Sequence, residues 1–132
     1  MRLLLDTHYA YGLAGDYLGF SARESRYFDT TRDRFVLSAV SIWEMRIKWA
    51  SKHRSGARKG PIDPALALQT LRSQPLDYLD LTPDHAAARL AVPLAHRDPF
   101  DELLLVQAQA EGLLLLTRDE ELLKHPLARA VD

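Results

Sequence analysis

Two kinds of hydrophobic pattern alternate along the chain: short unbroken apolar runs, and longer stretches whose apolar positions recur at helical spacing. Leu3-Leu4-Leu5, Phe35-Val36-Leu37 and Leu113–Leu116 are the unbroken runs. A strand covered on both faces reads in this way, whereas a strand with one wet face alternates. A weaker strand is expected over 78–81, and Ala130-Val131-Asp132 offers the only place for a last one. Helices are predicted over 9–13, 22–31, 42–51, 64–72, 83–90 and 99–111, with a final one beginning at Thr117. Asp63-Pro64 and Asp98-Pro99 each join an N-cap residue to a proline at the first helical position. Gly112 is placed to end the second of these helices as its C′ residue. The segment 52–60, rich in Gly, Ser and cations, is expected to be an exposed loop. Buried strands separated by helices indicate an α/β fold with a mainly parallel central sheet of about four to five strands. No repeat or low-complexity tract interrupts the pattern, so the expectation is a single domain spanning 1–132.

Composition changes this picture mostly by exclusion. The chain has 132 residues, 47% hydrophobic and 27% charged, which suits a folded core rather than disorder. It contains no cysteine, which removes disulfides and thiolate zinc sites. No apolar run approaches the roughly 20 residues of a membrane span, and Asp6 follows the first leucines too soon for a signal peptide, so a cytoplasmic location is expected. The 17 basic and 18 acidic residues nearly cancel, yet they are unevenly placed. Met45–Gly60 holds six cations (Arg46, Lys48, Lys52, Arg54, Arg58, Lys59) and no acid, while Asp98–Glu121 holds seven acids against Arg118 alone.

The acids carry the chemistry. In an open parallel sheet, ligands bind beyond the carboxyl ends of the strands, where helix N-termini also point. Asp6 follows the first strand and Glu44 is expected in the first turn of the helix after the second. Asp101 sits in the first turn of the Asp98-Pro99 helix, and Asp119 lies two residues past Leu116. Taken singly, each has an ordinary explanation. Ser41 with Glu44, and Thr117 with Glu120, fit capping boxes; Asp98 fits a cap, and Glu44 fits an i,i+4 pair with Lys48. Taken together they converge on one edge. A like-charge pair at 4 Å costs roughly 4 kcal/mol at an effective dielectric near 20, and a hard divalent cation removes that cost. All-oxygen ligands suit Mg²⁺ or Mn²⁺ rather than zinc. His96 is assigned to the loop or to supporting an acid. Such a centre suits phosphodiester hydrolysis, in which the metal activates water and neutralises charge growing on the phosphoryl oxygens, with a carboxylate available to take the water's proton.

Four segments also resemble, in order and approximate separation, the PIN-domain nucleases, and among them the VapC-type toxins of prokaryotic toxin–antitoxin pairs. They are Leu3-Leu4-Leu5-Asp6-Thr7-His8, Ser38-Ala39-Val40-Ser41-Ile42-Trp43-Glu44, His96-Arg97-Asp98-Pro99-Phe100-Asp101 and Leu116-Thr117-Arg118-Asp119. The resemblance implies a PIN-like α/β/α sandwich, an Mg²⁺- or Mn²⁺-dependent endoribonuclease, a homodimer and an antitoxin partner. It carries the catalytic, metal-binding acids onto Asp6, Glu44, Asp101 and Asp119, with Asp98 accessory. Thr7, Ser41 and Thr117 match positions whose hydroxyls orient the acids. The basic stretch Lys52–Lys59 is longer or more cationic than the resemblance leads one to expect.

Arg46, Lys48, Lys52, Arg54, Arg58 and Lys59 follow the Glu44 helix and are the candidates for holding RNA phosphates; the plain alternative is a solvated surface. Trp43, Trp49, Tyr9 and Tyr11 alternate with aliphatic residues, which favours core or dimer packing over base stacking. The competing functional expectation is a non-catalytic PIN-like module that binds RNA or protein. A phosphatase or phospho-receiver is disfavoured, because Asp6-Thr7-His8 lacks the second Asp such phosphatases use and no strand-end Lys is evident.

Overall fold

The computed structural model describes residues 1–132. Its sheet has five strands: β1 (Arg2–Leu5), β2 (Arg34–Ser38), β3 (Asp77–Leu79), β4 (Leu114–Leu116) and β5 (Ala128–Arg129). They lie in the order β3-β2-β1-β4-β5, and every neighbouring pair is parallel. The chain enters at the central strand, builds outwards to β3, then crosses back to place β4 on the other side. The strand order therefore reverses between β1 and β4, which is where open α/β sheets leave a crevice.

Register explains why the strands read as continuous apolar runs. Leu4 sits beside Val36 on one flank and Leu115 on the other. These three share a core with Leu104, Leu105 and Ala108 of α6 (Pro99–Glu111). Leu3 and Leu5, pointing the opposite way, pack with Tyr9, Tyr27 and Leu116 beneath α1 (Thr7–Ala14) and α2 (Ala22–Thr30). A third cluster joins Leu37 and Met45 to Ala67 and Leu71, binding α3 (Ala39–Ala50) to α4 (Pro64–Arg72). Both faces of the sheet are covered, as continuously apolar strands require.

The helix signals at Asp63-Pro64 and Asp98-Pro99 give α4 and α6 at the expected residues, and Gly112 adopts the left-handed φ of 67° that ends α6. Several boundaries differ from expectation. Helix α3 starts three residues earlier than expected, because the Ser38 hydroxyl accepts the Val40 N–H as soon as β2 ends. The capping box at Ser41 is thus not formed; Ser41 lies inside the helix, and Glu44 is its sixth residue rather than part of its first turn. Helix α5 (Pro83–Ala87) stops short of Leu90. There the Gln109 side chain donates to the Arg89 carbonyl and accepts from the Ala91 N–H, fixing that backbone in another course.

No α-helix begins at Thr117. Its hydroxyl is turned to Asp6, and only a short 3₁₀ turn, Leu122–Lys124, forms. Pro126 bars a longer helix by restricting the residue before it and lacking an N–H. The last strand is Ala128–Arg129, two residues earlier than Ala130-Val131-Asp132. The segment 52–60 is exposed up to Gly60 and closes as a hairpin-like loop, with Lys52 bridged to Arg58. No helix is long and apolar enough to cross a membrane.

Candidate functional site

Each acid reaches the carboxyl edge of the sheet by a local rule. Asp6 leaves β1 still bonded to the ladder through its N–H to the Leu116 carbonyl. It then caps α1, its Oδ1 accepting the Thr7 N–H at 2.8 Å. Glu44 is carried by α3, which springs directly from β2. Asp98 Oδ1 caps α6 by accepting the N–H groups of Phe100 and Asp101, which sets Asp101 in the first turn. Asp119 Oδ1 accepts the N–H groups of Glu121 and Leu122 and so pins the turn after β4.

These five acids line a single cavity of about 260 Å³, together with Thr7, His8, Tyr11 and Lys48. It lies at the end of β1, beside the point where the strand order reverses. Asp6 and Glu44 are buried in its floor, Asp98 and Asp101 are half-buried, and Asp119 is exposed at its rim.

Three hydroxyls hold the two buried carboxylates. Thr117 donates to Asp6 Oδ2 at 2.6 Å while accepting the Asp119 N–H. Thr7 lies 2.8 Å from Glu44 Oε1 and 3.0 Å from the Ser41 hydroxyl. A threonine has one proton to give, so with the carboxylate accepting it, Ser41 donates to Thr7 in turn. Nitrogen groups hold two of the acids. Lys48 Nζ sits 2.5 Å from Glu44 Oε2, and His96 Nε2 sits 3.0 Å from Asp101 Oδ2.

The electrostatics show that the acids sense one another. Burial pushes the Asp6 carboxyl up to about 6, with the charges of Asp101 and Glu44 adding to the rise and the Thr117 and Thr7 hydrogen bonds opposing it. Asp101 is also raised, by burial first and then by Asp98 and Glu44, against the pull of His96. The His96 hydrogen bond to Asp101 in return raises that imidazole above its usual range. A buried carboxylate with carboxylate neighbours lacks positive charge, and the donors facing the cavity are nearly all oxygen. That donor chemistry fits a hard divalent cation. The acids do not stand as a finished cage, however: no three Asp, Glu or His side chains are gathered closely enough to hold an ion as they are. Caps, hydroxyls, Lys48 and His96 already occupy many of the oxygens.

A family profile for the PIN domain matches residues 3–126. The chain belongs to the PIN-domain family. Among solved structures, this PIN domain is similar to a chain in the crystal structure of VapBC2 from Rickettsia felis bound to a DNA fragment from their promoter. The TM-score is 0.62 at 12% identity, over 98% of this chain and 97% of that one. At that identity the likeness shows the fold. Comparison with curated protein sequences gave no match.

The six basic residues divide. Lys48 is inside the acid cavity. Arg46 lies over the Trp43 ring, on an apolar groove of about 630 Å³ between α3, α4 and β3 that shares no lining residue with the cavity. Arg58 stacks on Trp49, 4.4 Å from the ring centroid, and donates to the Trp49 carbonyl, so it braces the loop. Lys52, Arg54 and Lys59 are exposed. Of the aromatic residues, Tyr9 and Tyr11 are core, whereas Trp43 is 51% exposed, so core packing does not account for it and of the expected core or dimer packing only the second is open to it. Sequence reading missed His8 and Tyr11 as parts of the cavity wall. The signal was present for Tyr11, which lies one helical turn after Thr7 on the same face of α1.

Proposed function

We propose that this PIN domain is a divalent-cation-dependent endoribonuclease that hydrolyses RNA phosphodiester bonds, and that it serves as the toxin of a VapBC-like toxin–antitoxin pair. The observation that carries the reading is the meeting of five acids, drawn from four separate stretches of chain, in one cavity at the strand ends. Asp6, Glu44, Asp101 and Asp119 are assigned as the residues that hold Mg²⁺ or Mn²⁺, with Asp98 accessory. When bound, the cation supplies an activated water and neutralises charge on the phosphoryl oxygens.

The chain's own groups do the remaining work. Thr117 and the Thr7 N–H fix both oxygens of Asp6, and Thr7 with Ser41 fixes Glu44, so neither carboxylate has to find its rotamer when substrate arrives. Asp119, exposed at the rim with Oδ1 committed to its turn, presents its other oxygen where substrate enters. Lys52, Arg54 and Lys59 supply the positive charge that brings an RNA backbone towards an otherwise repulsive acidic edge.

The toxin assignment draws on the likeness to the VapBC2 structure and on the motif resemblance. An antitoxin partner and a homodimer follow from the same reading. The exposed pair Trp43 and Ile47, one turn apart on α3, is a surface suited to such a partner. The second reading, a non-catalytic binding module, is favoured by the absence of a ready-made cage. Incubating total RNA with purified protein in Mg²⁺, Mn²⁺ or EDTA, beside Asp6→Asn, separates the two. Discrete fragments that require metal and vanish in the variant support the nuclease. No cleavage by folded protein freed of co-purified inhibitor selects the binding module.

A further inference from the structure

Lys48 is the one lysine or arginine among the nine residues that line the acid cavity. Its ammonium lies 2.5 Å from Glu44 Oε2, while Thr7 holds Glu44 Oε1. Both oxygens of Glu44 are therefore taken, and one of them by the group a divalent cation would have to replace. The two partners differ in freedom. The Glu44 side chain is 7% exposed and locked from below, whereas that of Lys48 is 44% exposed. The base of Lys48 is fixed, because its carbonyl accepts the N–H groups of Ser51 and Gly60 where the basic loop rejoins the fold. So the side chain can swing while its root stays at the cavity mouth.

From this contact and its placement we infer that Lys48 is a resident counter-ion. It occupies Glu44 in the cation-free protein, and on cation binding is released to hold a backbone phosphate of the RNA. The inference rests on the nuclease reading above and deepens it. A buried carboxylate left without a partner is costly, so a cation beside Glu44 lowers that cost both before and after a divalent ion arrives. An arriving divalent ion frees the lysine, and the released ammonium remains rooted at the cavity wall, on the residue whose carbonyl anchors the end of the basic loop. The nearest unsatisfied demand for positive charge there is a phosphate of the strand being cut. Lys48 thus opposes cation binding and favours substrate binding, two effects of opposite sign from one residue.

The test measures Mn²⁺ binding to RNA-free protein, by the loss of the free-ion electron paramagnetic resonance signal, for wild type, Lys48→Met and Lys48→Arg. RNA cleavage is then measured at saturating Mn²⁺. Methionine keeps the stem and removes the charge, and it should bind Mn²⁺ on the order of fivefold more tightly, the worth of one ion pair no longer displaced. Arginine keeps the charge and should bind Mn²⁺ close to wild type. Lys48→Met should nonetheless cleave at least about tenfold more slowly, the loss expected for one charge-assisted phosphate contact. Unchanged or weaker Mn²⁺ binding by Lys48→Met, beside a wild type that binds and cleaves, overturns the counter-ion role alone. Tighter Mn²⁺ binding with undiminished cleavage overturns the hand-over to phosphate. A folded wild type that neither binds Mn²⁺ nor cleaves RNA overturns the nuclease reading, and this proposal with it.

Discussion

Replacing Asp6 with asparagine should stabilise the cation-free protein at alkaline pH while abolishing activity. The carboxyl of Asp6 is raised by burial from 3.8 to about 6, so folding favours its protonated form. At about pH 4 the group is protonated in the folded chain and about half-protonated in the unfolded one, and the penalty is small. The penalty grows as pH rises from about 4 to about 6, and above that the folded state carries the buried charge at the full difference of about two units, roughly 3 kcal/mol at pH 8. Asparagine never ionises. Its carbonyl oxygen can keep the Thr7 N–H, but its amide faces the Thr117 hydroxyl, which must stop donating; that exchange costs about 1 kcal/mol. The expected balance is a gain of about 2 kcal/mol for Asp6→Asn in EDTA at pH 8, and little gain or a small loss at pH 4. Urea denaturation of both proteins at the two pH values measures it. Saturating Mn²⁺ should reverse the ranking at pH 8, since only the wild type gains from binding. If Asp6→Asn is the less stable protein in EDTA at pH 8, or if the difference between the two proteins does not change with pH, burial of an unpaired charge is not what Asp6 contributes, and the account of the site is wrong.

Three further outcomes follow from other parts of the structure. The Tyr11 hydroxyl is buried without a hydrogen-bond partner and its ionisation is pushed up to about 12 by burial, so Tyr11→Phe should leave stability unchanged or raise it by about 1 kcal/mol in thermal unfolding. A Cβ at Gly12 would stand 1.9 Å from Phe20, whose ring is stacked on Phe28; Gly12→Ala should therefore destabilise by about 1–3 kcal/mol in urea despite the better helix former. Neutralising Arg54 and Lys59 together should weaken binding of single-stranded RNA and reduce the slope of log affinity against log salt by about 1.4. An unchanged slope in a binding titration would remove the loop from the RNA surface.

How much of this was legible before the structure depends on the range of the forces involved. The β1, β2 and β4 runs and the Asp-Pro starts of α4 and α6 are set by neighbours within a few residues, so the sequence displays them directly. The parallel order of the sheet follows from the same runs, because only strands covered on both faces can be apolar at every position. Errors gather where a side chain has two partners to choose from. Local spacing alone offers Thr117 as a helix cap, and only the motif resemblance assigns it to orienting an acid; its hydroxyl goes to Asp6, 111 residues earlier in the chain. Local spacing likewise offers Ser41 as the N-cap of a box closed by Glu44, but Ser38 caps the helix and leaves Ser41 to meet Thr7, as the resemblance implies for a hydroxyl that supports an acid. In both cases a hydroxyl that could have finished a helix locally instead fixes a carboxylate at long range.

The same competition explains why five acids share a cavity without forming a cage. Asp98 and Asp119 each commit one oxygen to backbone N–H groups, Asp6 is tied on both oxygens, Glu44 is shared between Thr7 and Lys48, and Asp101 leans on His96. Each of these contacts lowers the cost of holding negative charges together when no ion is present. Each also has to be loosened or shared before an ion can be ligated. A site arranged in this way should bind its cation only moderately and gain affinity when substrate supplies further oxygen ligands, because the phosphate then stabilises the released lysine at the same moment. Cation and RNA should accordingly bind with positive cooperativity, and by linkage each should tighten the other's affinity by the same factor.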